Sequence, residues 1–142
     1  MQDSRLLIIF QQLSTKEIRA LDKFVQSPFY NQRKDVILLF QYLRHWRQNE
    51  SIISTHKPVV YSHIFPKIPY DEKKIRYTMS FLYQSIKDFL AIQTFRANKI
   101  DQQLAVIQSF RKKGMSRLFE QEFNLLLNTN FNKVHYFYLI LN

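Results

Sequence analysis

The sequence predicts an all-α protein: a compact bundle of about six to seven helices with one long central helix. Three observations predict it. Apolar residues recur at spacings of three and four along successive stretches. Gly occurs once in 142 residues, as Gly114; Gly supplies φ > 0 in tight turns, so the chain has little means of making β-hairpins. Residues that cap or stop helices stand between the apolar stripes. The 13 Phe and 8 Tyr, within an apolar share of 46%, supply a core and exclude a disordered chain.

The elements follow in order. A first helix covers about residues 3–12, with Leu6, Phe10 and Leu13 at helical spacing. Ser14-Thr15-Lys16-Glu17 is a capping box, and Leu13 and Ile18 can staple it. The second helix runs from Thr15 to about Gln26, with Ile18, Leu21, Phe24 and Val25 inward. Pro28 ends it, because Ser27 before a proline is biased away from the α region. In Ser27-Pro28-Phe29-Tyr30-Asn31 the two aromatics are expected to anchor a buried turn, and Asn31 to cap the next helix. That helix spans about Gln32 to Gln48, with Val36, Leu39, Phe40, Leu43 and Trp46 inward and Arg33, Arg44 and Arg47 on the other side. Asn49 to Lys57 reads as an exposed loop. Pro58 opens a short helix to Phe65, with a strand at Val59-Val60 as the minor option. Asp71 caps the longest helix, Glu72 to about Asn98, roughly 40 Å long at about 1.5 Å per residue. Its stripe is Ile75, Met79, Leu82, Ile86, Phe89 and Leu90. A further helix spans about Ile100 to Lys113, with Leu104, Ile107 and Phe110 inward and Gly114 at its left-handed C′ position. Ser116 caps the next, with Phe119, Phe123, Leu126 and Leu127 inward.

These elements divide into a helical N-terminal domain, 1–98, and a helical hairpin with an apolar end, 99–142. The second part is expected to pack on the first as one unit or to begin a truncated helical-repeat region. The hairpin has the size of one tetratricopeptide-type repeat, about 34 residues. The run Val134 to Leu141 is strongly apolar where chain ends are usually polar. It is expected to serve self-association or to mark a longer parent protein.

Several chemistries are excluded by count. One Gly cannot build a Walker loop or a dinucleotide fingerprint. Without Cys there are no disulfides or thiolate metal sites. His45, His56, His63 and His135 form no metal-ligand spacing. No nucleophile stands beside a base in a recognisable motif. The sequence therefore predicts no catalytic residues, no metal, no cofactor and no enzyme. With no signal peptide and no long apolar run, it predicts a cytoplasmic protein without a membrane partner.

The net charge is +10, from 21 Lys+Arg against 11 Asp+Glu. The basic residues are scattered, and the densest group, Arg111-Lys112-Lys113, stands at a helix end where the macrodipole favours cations. One stretch has a recognition pattern. With the long helix's apolar stripe inward, Lys73, Arg76, Tyr77, Ser80, Gln84 and Lys87 share its outer side. They are the candidate face for a nucleic acid or an acidic partner. Preceded by the short helix and a proline turn, residues 58–90 form a candidate helix-turn-helix. An ordinary solvated face of a basic protein carries the same residue types.

Leu13 to Glu17 and Asp22-Lys23-Phe24-Val25-Gln26-Ser27-Pro28-Phe29-Tyr30-Asn31 resemble the start of a family of uncharacterised helical proteins of Bacteroidota, which share a KFV-x-SP-[FY]-[FY]-N signature. Ile64-Phe65-Pro66 and Lys74 to Leu82 are similar to its second block. The resemblance covers roughly the first 90 residues. Its members run to several hundred residues with helical repeats downstream, which implies that this chain is an N-terminal part. It brings no known activity and no functional residues. The leading expectation is a helical scaffold or protein-interaction module for an acidic or helical partner; the alternative is the DNA-binding module.

Overall fold

Helices follow one another through residues 4–129, the part of the chain described by the computed structural model. They are α1 (Arg5–Gln12), α2 (Thr15–Gln26), α3 (Lys34–Gln48), α4 (Lys57–Ile64), α5 (Glu72–Ala97), α6 (Lys99–Lys112) and α7 (Ser116–Thr129). No strand occurs among the described residues. Packing divides the chain into two compact units, one up to Leu90 and one from Ala91.

In the first unit the caps act largely where the residue types put them. Ser4 Oγ accepts from the Leu6 amide at the start of α1, and Ser14 Oγ from the Glu17 amide at 3.1 Å at the start of α2. Leu13 and Ile18 on either side of that cap are both buried. Ser27, before Pro28, is extended with ψ 119° and ends α2. Val59-Val60 is helical, with Pro58 in the first turn of α4.

Helix α3 carries the centre of the core. Val36, Leu39, Phe40 and Leu43 are fully buried and Trp46 nearly so. Each such side chain contributes about 1.5–3 kcal/mol when taken from water. Helices α1, α2 and α4 all pack on α3. Phe10 of α1 meets Phe40 with ring centres 5.6 Å apart. Leu21 and Val25 of α2, Val60 and Tyr61 of α4, and Ile75, Leu82 and Ile86 of α5 complete the cluster.

The turn between α2 and α3 differs from expectation. Phe29 is 86% exposed and Tyr30 41% exposed, so neither is buried. Phe24 fills the space beneath Tyr30: its ring stacks on Tyr30 at 4.2 Å and meets Phe89 edge-on at 5.6 Å. Asn31 does not cap α3, which begins at Lys34. Its amide nitrogen donates to the Val25 carbonyl at 2.8 Å and its oxygen accepts from the Arg33 amide. Asn31 thus satisfies an orphan carbonyl at the end of α2 and holds an Asx-type turn into α3.

In the second unit α6 and α7 pack on each other as a hairpin. Asn98 caps α6, accepting from the Ile100 and Asp101 amides. Its end is a Schellman motif: the Met115 amide donates to the Phe110 carbonyl and the Gly114 amide to that of Arg111, with Gly114 at φ +68°. Ser116 is the first residue of α7 rather than its cap. Ile107 and Leu126 are buried, while Leu104, Phe110, Phe119, Phe123 and Leu127 are half-buried.

Leu43→Ala should cost about 2–5 kcal/mol, because the surrounding helices cannot collapse into the space left. Ser14→Ala should cost about 1 kcal/mol. Urea unfolding monitors both. An unchanged midpoint for Ser14→Ala would show that the Glu17 amide finds another partner at no cost.

Candidate functional site

Helix α5 begins at a side-chain cap. Asp71 Oδ1 accepts from the Lys74 amide at 3.1 Å, and its carboxylate also suits the positive end of the helix. From there Ile75, Thr78, Leu82, Ile86 and Phe89 face the core and are buried. Lys73, Arg76, Tyr77, Ser80, Gln84 and Lys87 are all exposed. At about 100° per residue these six fall within an arc of roughly 100° opposite the buried stripe. The structure therefore brings together every residue of the sequence-predicted face.

The inner stripe differs from expectation: Leu90 at its end is only half-buried, and Thr78 takes the place expected of Met79. Thr78 is fully buried and Met79 only partly. The reason is polar. Thr78 Oγ1 donates to Asp35 Oδ2 of α3 at 2.8 Å, with the Lys74 carbonyl as an alternative acceptor at 3.1 Å. The same carboxylate receives the Arg33 guanidinium as a fork, Nε to Oδ1 at 3.1 Å and Nη2 to Oδ2 at 2.7 Å. Burial alone would raise the Asp35 pKa. The hydrogen bonds from Arg33 and Thr78, the Arg33 charge and the Val36 amide outweigh it and hold the group below its ordinary value. Arg33 also lies 4.1 Å over the Phe81 ring. One carboxylate in the first turn of α3 thus fixes the rotation of α5, and with it the residues that point outward.

Two further contacts hold the start of α5. Lys57 Nζ pairs with Glu72 Oε1 at 2.7 Å, and the Tyr70 hydroxyl donates to Glu72 Oε2. Lys57 first, then Tyr70, lowers the Glu72 pKa, and the bond to Glu72 pushes the Tyr70 phenol up to about 12. Arg5 lies 4.3 Å over the Tyr83 ring.

The cations of the outer face are not committed in this way. Among the described residues, no carboxylate lies within ion-pairing distance of Lys73, Arg76 or Lys87. Lys73 and Lys87 approach the rings of Tyr77 and Tyr83 at 5.7 and 5.2 Å. Tyr77 is 53% exposed and Phe81 44%. The arginines of α3 and its cap are structural instead. Arg44 pairs with Asp22 at 2.6 Å, and Arg47 donates to the Leu13 carbonyl at 2.5 Å, closing the end of α1.

Helices α4 and α5 are separated by residues 65–71, with Lys67 at φ +65°. A helix-turn-helix uses a turn of about three to four residues. Among the described residues no group of His, Asp and Glu is placed to hold a metal ion. No described helix is long and apolar enough to cross a membrane. The run Val134 to Leu141 lies outside the described residues.

Thr78→Val should cost about 1–3 kcal/mol at neutral pH, because it removes a donor from a half-buried carboxylate. Asp35 has a depressed pKa when folded, so its contribution is present above its unfolded value of 3.8 and is lost as pH falls below that through the folded value. The gap between parent and variant should therefore narrow below about pH 4. Chemical denaturation at pH 7 and pH 3 measures it, and a gap that widens in acid would remove Asp35 from this role.

Comparison of the chain with protein-family models, with characterised proteins and with solved structures gives no match in any of the three.

Proposed function

We propose that this chain is a non-enzymatic helical scaffold or protein-interaction module, and that the outer face of α5 is its binding surface. The partner is an acidic segment or helix of another protein. One observation carries this reading: Lys73, Arg76 and Lys87 stand free of ion pairs among the described residues, beside the exposed rings of Tyr77 and Phe81. Aromatic anchors bordered by cations suit an amphipathic acidic helix, whose apolar side meets the rings while its carboxylates meet the charges. The Asp35–Thr78 tie favours recognition too, because a face that cannot rotate loses little freedom on binding. The absence of Cys suits a reducing, cytoplasmic compartment. The place proposed for it, which the resemblance read from the N-terminal motifs implies, is the start of a helical-repeat protein.

Nucleic-acid binding is the second reading, favoured by the same cations and by a net charge of +10. The connection of residues 65–71 weighs against a helix-turn-helix geometry for it.

Salt dependence separates the two. If the face meets phosphates, log K for duplex DNA falls with log salt by about 0.9 per phosphate neutralised, and the triple variant Lys73→Ala/Arg76→Ala/Lys87→Ala flattens the slope by up to about 3. We expect instead that DNA binding is weak, is lost near physiological salt, and falls equally when the exposed Lys16, Lys23 and Lys34 are replaced. The α5 triple variant should weaken binding of an acidic amphipathic helical peptide by about tenfold or more. Selective DNA binding at physiological salt that disappears only with the α5 triple variant overturns the protein-interaction reading.

A further inference from the structure

Two basic clefts of similar size open in the first unit. One, of about 360 Å³, is bordered by Arg19, Arg44, Arg47 and Glu50. Two of its three cations are spent on the fold, since Arg44 holds Asp22 and Arg47 holds the Leu13 carbonyl, and Glu50, which accepts from Gln11, sets a negative charge beside the third. The other, of about 300 Å³, lies between the start of α1 and the first turns of α5, with Arg5, Lys57, Arg76 and Ser80 on its border. Among the described residues neither Arg5 nor Arg76 is ion-paired. Lys57 is paired with Glu72, so three cations against one carboxylate leave a local charge of +2.

We infer that this second cleft is a binding site for a phosphate monoester carried by the partner. The inference rests on the protein-interaction reading of α5 and names the group that the partner presents. A phosphate monoester carries about −1.5 to −2 charges at pH 7 and offers three acceptor oxygens, which matches the two free guanidinium groups. A carboxylate brings a single charge and two acceptor oxygens, so it answers the local charge of +2 less fully. The hydroxyls of Ser4 and Ser80 add donors at the border. Ser4 Oγ accepts from the Leu6 amide through a lone pair, so its proton is free to donate. Leu6, Met79 and Tyr83 supply an apolar wall for the carbon side of the ester. Arg5 is held over Tyr83, so its guanidinium is oriented before any ligand arrives. Arg76 belongs both to this cleft and to the outer face of α5, which makes the two surfaces continuous.

The test is titration of the ¹⁵N-labelled full chain with phenyl phosphate and with benzoate, followed by NMR. Phenyl phosphate should saturate the shifts of the Leu6 and Ser80 amides and of the Arg5 and Arg76 Nε–H groups. Benzoate should bind about tenfold more weakly. Phenyl phosphate affinity should rise as pH passes about 6, where the monoester loses its second proton. Arg5→Gln and Arg76→Gln should each weaken it by about tenfold, the worth of one charge-assisted hydrogen bond. Arg76→Lys, which keeps the charge but not the fork, should lie between. Lys73→Ala should leave phenyl phosphate binding unchanged while weakening the acidic helix, so the two readings can fail separately. Equal binding of phenyl phosphate and benzoate, or shifts spread over Lys16 and Lys23, would overturn the site. A phosphoserine peptide binding about tenfold tighter than phenyl phosphate supports a protein-borne ester. Phenyl phosphate binding as tightly as that peptide overturns the protein-borne source.

Discussion

Helix α3 is the surface on which the first unit closes, and its inner stripe is the constraint the rest obeys. Val36, Leu39, Phe40 and Leu43 are entirely removed from solvent, and α1, α2 and α4 all lie against them. Three helices packed around one leave little room for polar groups. The charged residues of α3 and its cap therefore sit at its two ends and edges, where they hold neighbours in register. Arg33 and Asp35 hold α5 at one end, Arg47 holds the end of α1 at the other, and Arg44 holds α2 between them. Exposed ion pairs contribute little each, about 0–1 kcal/mol. Their effect here is to select one arrangement among those that the apolar stripes alone would allow.

That selection links the core to the surface. A stripe of Ile75, Leu82, Ile86 and Phe89 tolerates some rotation of α5 with modest repacking. The Thr78–Asp35 hydrogen bond does not, since rotation would take a donor from a largely buried carboxylate, at a cost of about 1–3 kcal/mol. The orientation of Lys73, Arg76, Tyr77 and Lys87 is therefore set from the inside, by Asp35 of another helix.

Much of this was legible in the sequence, because spacing and caps are local properties. The stripe of α3, the Ser14 and Asp71 caps, the stop at Pro28 and the left-handed Gly114 all follow from residue type and position. The outer face of α5 was legible for the same reason, as the complement of its stripe. What the sequence concealed depends on residues far apart in the chain. Thr78 becomes core only because Asp35 stands opposite it. Tyr30 stays at the surface because its ring rests on Phe24, which already occupies the space beneath it, and Phe29 lies against Tyr30. Asn31 carries the residue type of an N-cap, yet its bonds run to the helix before it. Arg5, Lys57 and Arg76 line one cleft although they are 52 and 19 positions apart, and no local pattern joins them.

Trp46, the single tryptophan, has an optical consequence. It lies 6% exposed within the core of the first unit, and the second unit contains no other indole. Its emission therefore follows the environment of α3 and stays silent about α6 and α7. Circular dichroism, in contrast, weighs every helix alike. The hairpin buries far less, with Val106, Met115, Leu118 and Leu125 all more than 40% exposed. Where the two signals part company during denaturation, the interval between them measures the hairpin's own cohesion, with no label added and no residue changed.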